Sequence, residues 1–319
     1  MKTAIIGLGV IGHVHFEVLK GISDIVAVCD VDKDKFEEFP NILHFTDYKE
    51  MIDTVKPDVV HICTPHYLHA EMVIYALERN VNVLCEKPLC MKLDEIDKVL
   101  LAEEKSEAKL GVCFQNRFSQ MHRFVKNYLE KDPPVSAMAN VTWNRDAEYY
   151  GQAEWRGTKA QEGGGVLINQ AIHTMDLLQW FCGMPTELIA TTSNLKLQGV
   201  IEVEDTAFVS CSGKVSFTLY ATNNSNRSFP IEMTIMTEKD AIIHITPDYV
   251  FIDGEKQVID KDKTYFGKPC YGSGHYELVR EFYNSVKNNT EFMINGVEGS
   301  KAIKIVLTAY ESNGKTYKL

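Results

Sequence analysis

The chain has 319 residues, 45% of them hydrophobic and 24% charged, with a formal net charge of −11; this length suits two hydrophobic cores better than one, and the composition leaves no long disordered stretch. An acidic protein repels phosphate backbones and anionic lipid surfaces, so neither nucleic acid nor membrane is an expected partner. No apolar stretch reaches the roughly 20 residues of a membrane span, and the eight cysteines, none in a CxxC pair, fit buried thiols in a reducing cytoplasm better than disulfides or zinc ligands.

Met1-Lys2-Thr3-Ala4-Ile5-Ile6 imitates the start of a secretory signal, but Gly7, Gly9 and Gly12 interrupt the apolar run and no cleavage-like site follows, so it reads as a strand. The first third alternates short β-branched runs with helical patterns, which predicts a parallel sheet. Strands are expected at Thr3–Ile6, Ile25–Cys29, Val59–Cys63, Asn82–Cys85 and Leu110–Phe114, with helices at Ala70–Arg79, Leu93–Lys105 and Phe118–Leu129. Asp132-Pro133-Pro134 punctuates the chain and sets a domain transition within Arg117–Pro134.

Beyond it the rhythm turns to period-two alternation at Val135–Trp143, Leu188–Asn194, Thr206–Cys211, Ser216–Thr222, Ile231–Thr237 and Ala241–Thr246. Asp253-Gly254 between Tyr249–Ile252 and Gln257–Ile259 signals a hairpin. One helix is expected over Val166–Phe181, and two more, Tyr276–Asn288 and Val297–Ser312, close the chain. The expected α/β architecture is an N-terminal Rossmann domain over residues 1–118, doubly wound around a parallel sheet. An α+β domain over 119–319 follows, with a large, mostly antiparallel open-faced sheet.

Gly7-Leu8-Gly9-Val10-Ile11-Gly12 follows the first strand and opens a helix. Gly7 permits the tight turn, Gly9 lets a pyrophosphate approach the backbone, and Gly12 lets helix and strand pack closely, while the helix N-terminus faces the negative charge. Asp30 ends the next strand about 20 residues on, where a carboxylate accepts hydrogen bonds from a ribose diol and repels a 2′-phosphate. No arginine follows it and the nearest base in the sequence is Lys33, so NAD is expected over NADP; the bland alternative makes Asp30 a turn residue before a helix at Asp32–Phe39.

Glu86-Lys87-Pro88 sits after the fourth strand, at the sheet edge where doubly wound folds place ligands. Together, the glycine fingerprint, Thr64-Pro65, Glu86-Lys87-Pro88 and the later Gly163-Gly164-Gly165 followed by His173 resemble the glucose-fructose oxidoreductase/inositol dehydrogenase family across most of the chain. The resemblance implies an NAD-dependent dehydrogenase acting on a secondary alcohol of a sugar, sugar derivative or cyclitol. It also implies that Lys87 touches cofactor and substrate hydroxyl after a cis Lys87–Pro88 bond, and that Thr64, Pro65, His69, Glu86 and Asn116 line the cofactor with Gly7, Gly9, Val10, Ile11, Gly12 and Asp30.

Asn169, His173 and Asp176, spaced by four and three residues, would share one side of a continuous helix. His173 could take the alcohol proton, since an unperturbed imidazole titrates near 6.5; its plain alternative is a core histidine. The family's inositol dehydrogenase pattern has aspartate where this chain has Asn169, and many relatives have asparagine where it has His66. An asparagine cannot stabilise an imidazolium by charge but can bind a hydroxyl or orient a ring. Trp155 and Arg156 suit a sugar face or an anionic group, with core and surface ion-pair roles as alternatives. Gln115-Asn116-Arg117, Tyr271 and His275 are further candidates to line the site.

His13/His15 and His66/His69 have ligand-like spacing, yet no third ligand suggests itself and no metal is expected. Two other functions remain compatible: redox-neutral glycoside cleavage through transient oxidation on tightly held NAD, and a non-catalytic NAD or sugar sensor. A homodimer or homotetramer through the second-domain sheet is expected, because a broad one-sided sheet needs cover.

Overall fold

The apolar runs of the first third pair as six parallel strands, and the alternating runs of the second part build a nine-stranded sheet. The computed structural model describes residues 1–260 and 274–319. Its two compact units comprise 1–118 with 274–300, and 119–260 with 301–319.

In the first unit the strands are β1 (Lys2–Ile6), β2 (Asp24–Cys29), β3 (Leu43–Phe45), β4 (Val59–Ile62), β5 (Asn82–Cys85) and β6 (Leu110–Val112), ordered β3-β2-β1-β4-β5-β6. This is the doubly wound order, with its switch point between β1 and β4. The helices Val10–Leu19, Tyr48–Val55, His69–Leu77 and Leu93–Lys105 connect the strands. β4 is buried along its whole length, as a central parallel strand covered on both faces must be. Asp47 caps the helix Tyr48–Val55 by accepting from the backbone N–H groups of Lys49 and Glu50, satisfying donors that a helix start leaves unpaired.

The second unit adds β7 (Pro134–Thr142), β8 (Glu187–Ser193), β9 (Thr206–Ser212), β10 (Ser216–Thr222), β11 (Glu232–Thr237), β12 (Ile242–Ile245), β13 (Val250–Ile252), β14 (Glu255–Lys256) and β15 (Tyr317–Lys318). Their order is β14-β13-β12-β11-β7-β10-β9-β8-β15, antiparallel except where β10 pairs with β7. One face carries Ala137, Ala139, Val209, Phe217, Leu219 and Ile235 into the core, and the helix Ile172–Cys182 packs on β7 and β10. The other face leaves Met138, Phe208, Tyr220, Met236 and Ile242 exposed. Among the described residues no helix is long and apolar enough to cross a membrane.

Three expectations change. A second domain running unbroken from 119 to 319 is not observed: the helix Gly274–Asn288 returns to the first unit. There Phe282 is fully buried, and the Tyr283 hydroxyl meets Thr3 of β1 at 2.6 Å and His61 of β4 at 3.0 Å. The expected helix Val166–Phe181 is two helices, Val166–Asn169 and Ile172–Cys182. Ala171 N–H reaches back five residues to Val166 C=O at 2.8 Å, and buried Gln170 is held by Asn223 and Tyr149, so the helical phase is lost between them. The hairpin turns at Asp253-Gly254 with φ of 52° and 81°, a two-residue turn that puts the return strand at Glu255–Lys256 rather than Gln257–Ile259.

Candidate active site

In the first unit the candidate cofactor residues follow the C-terminal ends of parallel strands, whereas His275 lies at the start of the helix Gly274–Asn288. Gly7 follows β1, Asp30 follows β2, Thr64 and Pro65 follow β4, Glu86 and Lys87 follow β5, and Asn116 lies in the 3-10 turn Gln115–Phe118 after β6. These cofactor candidates therefore line one edge of one sheet, the edge on which α/β folds bind ligands.

The glycine turn is dictated by space. Gly7 has φ +93°, and a Cβ on it would lie 2.7 Å from the Cys63 carbonyl oxygen. A Cβ on Gly12 would come within 2.1 Å of the Gly7 oxygen, whereas one on Gly9 would meet nothing within 4 Å. The helix Val10–Leu19 thus starts on a bare backbone position with open space before it, a fit for a pyrophosphate at a helix N-terminus. Asp30 Oδ2 accepts the Leu8 N–H at 2.7 Å, and Oδ1 accepts the Asp32 N–H at 3.0 Å. Lys35 pairs with Asp30 at 3.0 Å, and the expected helix Asp32–Phe39 forms as the tighter 3-10 turn Lys33–Glu38. The glycine turn and Asp30 fit the diphosphate and ribose of NAD.

His69 stands behind the edge. It is 1% exposed, with Nε2 at 2.8 Å from the Thr64 carbonyl and Nδ1 at 2.7 Å from the Pro88 carbonyl. It ties the loop after β4 to the loop after β5. Burial pulls its pKa below the usual imidazole value, over the opposing pull of the two carbonyls, and a neutral ring donates to only one of them at a time. The Lys87–Pro88 bond is cis.

Glu86 is buried, and its Oε2 accepts the Lys87 backbone N–H at 3.2 Å. Its Oε1 lies 3.0 Å from His15 Nε2 and 3.6 Å from His275 Nε2. Burial raises Glu86, but the contacts from His15 and His275 hold it well below the usual carboxylate range. Burial likewise works against charge on His15, yet contacts to Cys113 and Glu86 raise its pKa to about 10. His15 Nδ1 meets His61 Nδ1 at 2.7 Å, and His61 Nε2 meets the Tyr283 hydroxyl at 3.0 Å. Burial and the neighbouring His15 charge keep His61 well below its usual value, so the neutral ring accepts from His15 and donates to Tyr283. His15, Glu86 and His275 offer ligand atoms within 4.8 Å of one another; the 3.0 Å separation of the first two is that of an ordinary hydrogen bond from a protonated His15 to an ionised Glu86.

The second unit holds the other candidates. Arg156 stacks its guanidinium 4.5 Å from the Tyr149 ring centroid and 5.3 Å from that of Trp155. The glycine run leads into the short helix Val166–Asn169, and a Cβ on Gly165 would come within 1.8 Å of the Glu204 carbonyl oxygen. The Glu204 carboxylate accepts the N–H groups of Gly165 at 2.8 Å and Leu167 at 3.0 Å, and the Tyr310 hydroxyl at 2.9 Å. Asn169 donates its amide to Glu162. Both Asn169 and His173 are half-buried, but they sit on separate helices, so the shared helix side expected for Asn169, His173 and Asp176 is not formed. Tyr271 lies outside the described residues.

Glu162, Glu204, Lys35 and the His15–His61 pair are not among the expected site residues. A signal existed for one of them: a histidine in the middle of the apolar strand Val59–Ile62 needs a partner once buried.

Comparison with known proteins identifies the family of both parts of the chain. Residues 1–114 match the GFO/IDH/MocA oxidoreductase family, NAD-binding Rossmann fold, and residues 133–243 match that family's C-terminal domain. Myo-inositol 2-dehydrogenase of Thermotoga maritima is 25% identical over 98% of this chain and 96% of its own length. D-glucoside 3-dehydrogenase of Escherichia coli is 29% identical over 58% of this chain and 55% of its own. Among solved structures, myo-inositol 2-dehydrogenase from Lactobacillus plantarum superposes with a TM-score of 0.83 at 25% identity, covering 100% of this chain and 99% of that one. The Bordetella pertussis WlbA dehydrogenase, in complex with NADH and UDP-GlcNAcA, gives 0.87 at 23% identity over 100% and 98%. With both domain types matched in order, the chain belongs to the GFO/IDH/MocA family of NAD-binding oxidoreductases.

Proposed function

We propose that this protein reversibly oxidises a secondary alcohol of a sugar, sugar derivative or cyclitol. NAD, when bound, supplies the hydride acceptor. Gly9 and the start of the helix Val10–Leu19 hold its diphosphate, and Asp30 holds the adenosine ribose. Thr64, Pro65 and Asn116 hold the remainder, with His69 fixing the two loops behind them. Lys87 donates a hydrogen bond to the reacting oxygen, and His173 receives the hydroxyl proton. Asn169 binds a neighbouring hydroxyl, and Trp155 and Arg156 receive the sugar face.

The observation that carries this reading is the position of Lys87 after β5, on the same sheet edge as the glycine turn and Asp30, with its backbone anchored to Glu86. Relatives named for myo-inositol and D-glucoside dehydrogenation support the substrate class. The test is NADH formation from NAD with cyclitols, pyranosides and sugar acids. Lys87→Ala should reduce turnover far more than NAD affinity; equal loss of both contradicts the role. NAD that co-purifies without net NADH formation would favour redox-neutral cleavage, and binding without any turnover would favour a sensor.

The same reading extends to a cytoplasmic homodimer or homotetramer formed through the exposed face of the nine-stranded sheet. Two features support it. Large apolar side chains stand in adjacent strands of that face, and the seven cysteines among the described residues are all buried thiols.

A further inference from the structure

A buried carboxylate stands behind Asn169. Glu162 has no exposed surface. One of its oxygens accepts from the Asn169 amide nitrogen and the other from the Gly157 backbone N–H. An ionised carboxylate only accepts, whereas an asparagine side chain has one donor end and one acceptor end. Glu162 therefore decides which way the amide lies: the NH2 end is committed inward, and a group approaching Asn169 from the opposite side meets the carbonyl oxygen. Gly157 closes the argument, because its N–H cannot be reversed and fixes the second Glu162 oxygen as an acceptor.

We propose that Glu162 is a positioning residue that sets Asn169 as a hydrogen-bond acceptor for a substrate hydroxyl, the Glu162–Asn169 pair acting as a relayed carboxylate. This deepens the dehydrogenase reading and rests on it. The subsite selects a ligand group that can donate, such as the free hydroxyl of a polyol ring, and disfavours a ketone or ether oxygen at the same place.

The arrangement depends on proton occupancy. Burial pushes Glu162 up to about 7, against hydrogen bonds from Gly157 and Asn169 and the charge of Arg156, with Glu204 adding to the rise. Tyr150 and Tyr310, the phenols whose charge Glu162 also opposes, are both kept protonated by burial. Above pH 7 Glu162 accepts and Asn169 presents its carbonyl. Below it, the protonated carboxyl can donate to that carbonyl and release the NH2 end toward the substrate. KM for the alcohol accordingly rises as pH falls through about 7.

Glu162→Gln inverts the pair without changing its shape. The Gly157 N–H holds the new amide by its oxygen, so the NH2 end faces residue 169 and forces Asn169 to turn over. Asn169→Asp alone sets two carboxylates together, one of which must then hold a proton. Combining Glu162→Gln with Asn169→Asp restores complementarity: the glutamine NH2 donates to one aspartate oxygen and the other faces the substrate.

The experiment measures kcat and KM from pH 6 to 9 for wild type, both single variants and the double variant. The substrate is whichever of myo-inositol, D-glucose, methyl β-D-glucoside and D-gluconate gives NADH, with Lys87→Ala as control. Glu162→Gln should lower kcat/KM about ten- to a hundredfold, mostly through KM, with unchanged NAD affinity and no KM step near pH 7. Asn169→Asp should move the KM step to higher pH, and the double variant should return to within about threefold of wild type.

An active wild type silenced by Lys87→Ala but indifferent to Glu162→Gln, or a double variant no better than the worse single one, overturns the positioning role alone. Should Glu162→Gln fail to fold, a wild-type KM that stays flat through pH 7, or a step that Asn169→Asp leaves unmoved, overturns it equally. A wild type that reduces no NAD with any of the four compounds overturns the dehydrogenase reading and this proposal with it.

Discussion

Asp30 accepts the backbone N–H of Leu8 at 2.7 Å. The carboxylate that ends β2 thus orders the glycine turn after β1, while its other oxygen meets Asp32 and Lys35. Asp30→Ala should therefore weaken NAD binding by more than the loss of a ribose contact alone, about tenfold or greater. Asp30→Asn keeps an acceptor for Leu8 and should bind better than Asp30→Ala. Calorimetric titration with NAD checks the order; equal affinities for the two variants would contradict the turn-ordering role.

The His69 side chain joins two loops that must hold one ligand. His69→Ala removes both carbonyl contacts and leaves a cavity, an expected cost of about 2–4 kcal/mol in unfolding free energy. It should also lower kcat, because the Lys87 loop loses its tie to Thr64. Denaturant melts and steady-state kinetics on the same preparation test this; a destabilised variant with unchanged kcat would limit His69 to folding.

The buried His15–Glu86 pair has a definite pH signature. His15 has its pKa raised to about 10, so its stabilising contribution is complete below the unfolded value near 6.5 and fades as pH rises toward 10. Glu86 is depressed, so its contribution is present above the unfolded value near 4.5 and is lost as pH falls through the folded one. His61, also depressed, costs stability once pH drops below about 6.5. Stability should be broadest near neutrality and fall on both sides. His15→Ala leaves the buried Glu86 carboxylate only the Lys87 N–H and the more distant His275 and should cost about 3 kcal/mol at pH 7, with a smaller deficit at pH 5, where Glu86 can protonate. A pH-independent deficit in urea melts would refute the pairing.

Phe208 and Tyr220 stand opposite each other in the β9–β10 register and are 45% and 43% exposed. If the sheet face is the subunit interface, Phe208→Glu with Tyr220→Glu should give a monomer by light scattering, with the fold retained by circular dichroism. A variant of unchanged mass would move the interface elsewhere.

The first unit was readable because its signals are local. The glycine turn, Asp30 and Glu86-Lys87-Pro88 each occupy a few consecutive residues beside an apolar strand. What escaped depends on partners far apart in the chain. The break at Gln170-Ala171 is held by Asn223 and Tyr149, and neither announces itself in a helical pattern. β3 is three residues with little burial, so it left no apolar run to find. A helix is expected at Tyr276–Asn288 and forms as Gly274–Asn288, but sequence order does not reveal that Phe282 and Tyr283 pack it against the first sheet. Glu162, an acid before three glycines, looks like a solvated turn residue until burial and Asn169 give it a role.

The most direct test of the account is absorbance at the reduced-nicotinamide band when purified protein meets NAD and a panel of cyclitols, pyranosides and sugar acids. NADH should form with at least one compound and disappear in Lys87→Ala, while NAD binding survives. NAD binding with no NADH from any compound, or full activity in Lys87→Ala, would contradict it.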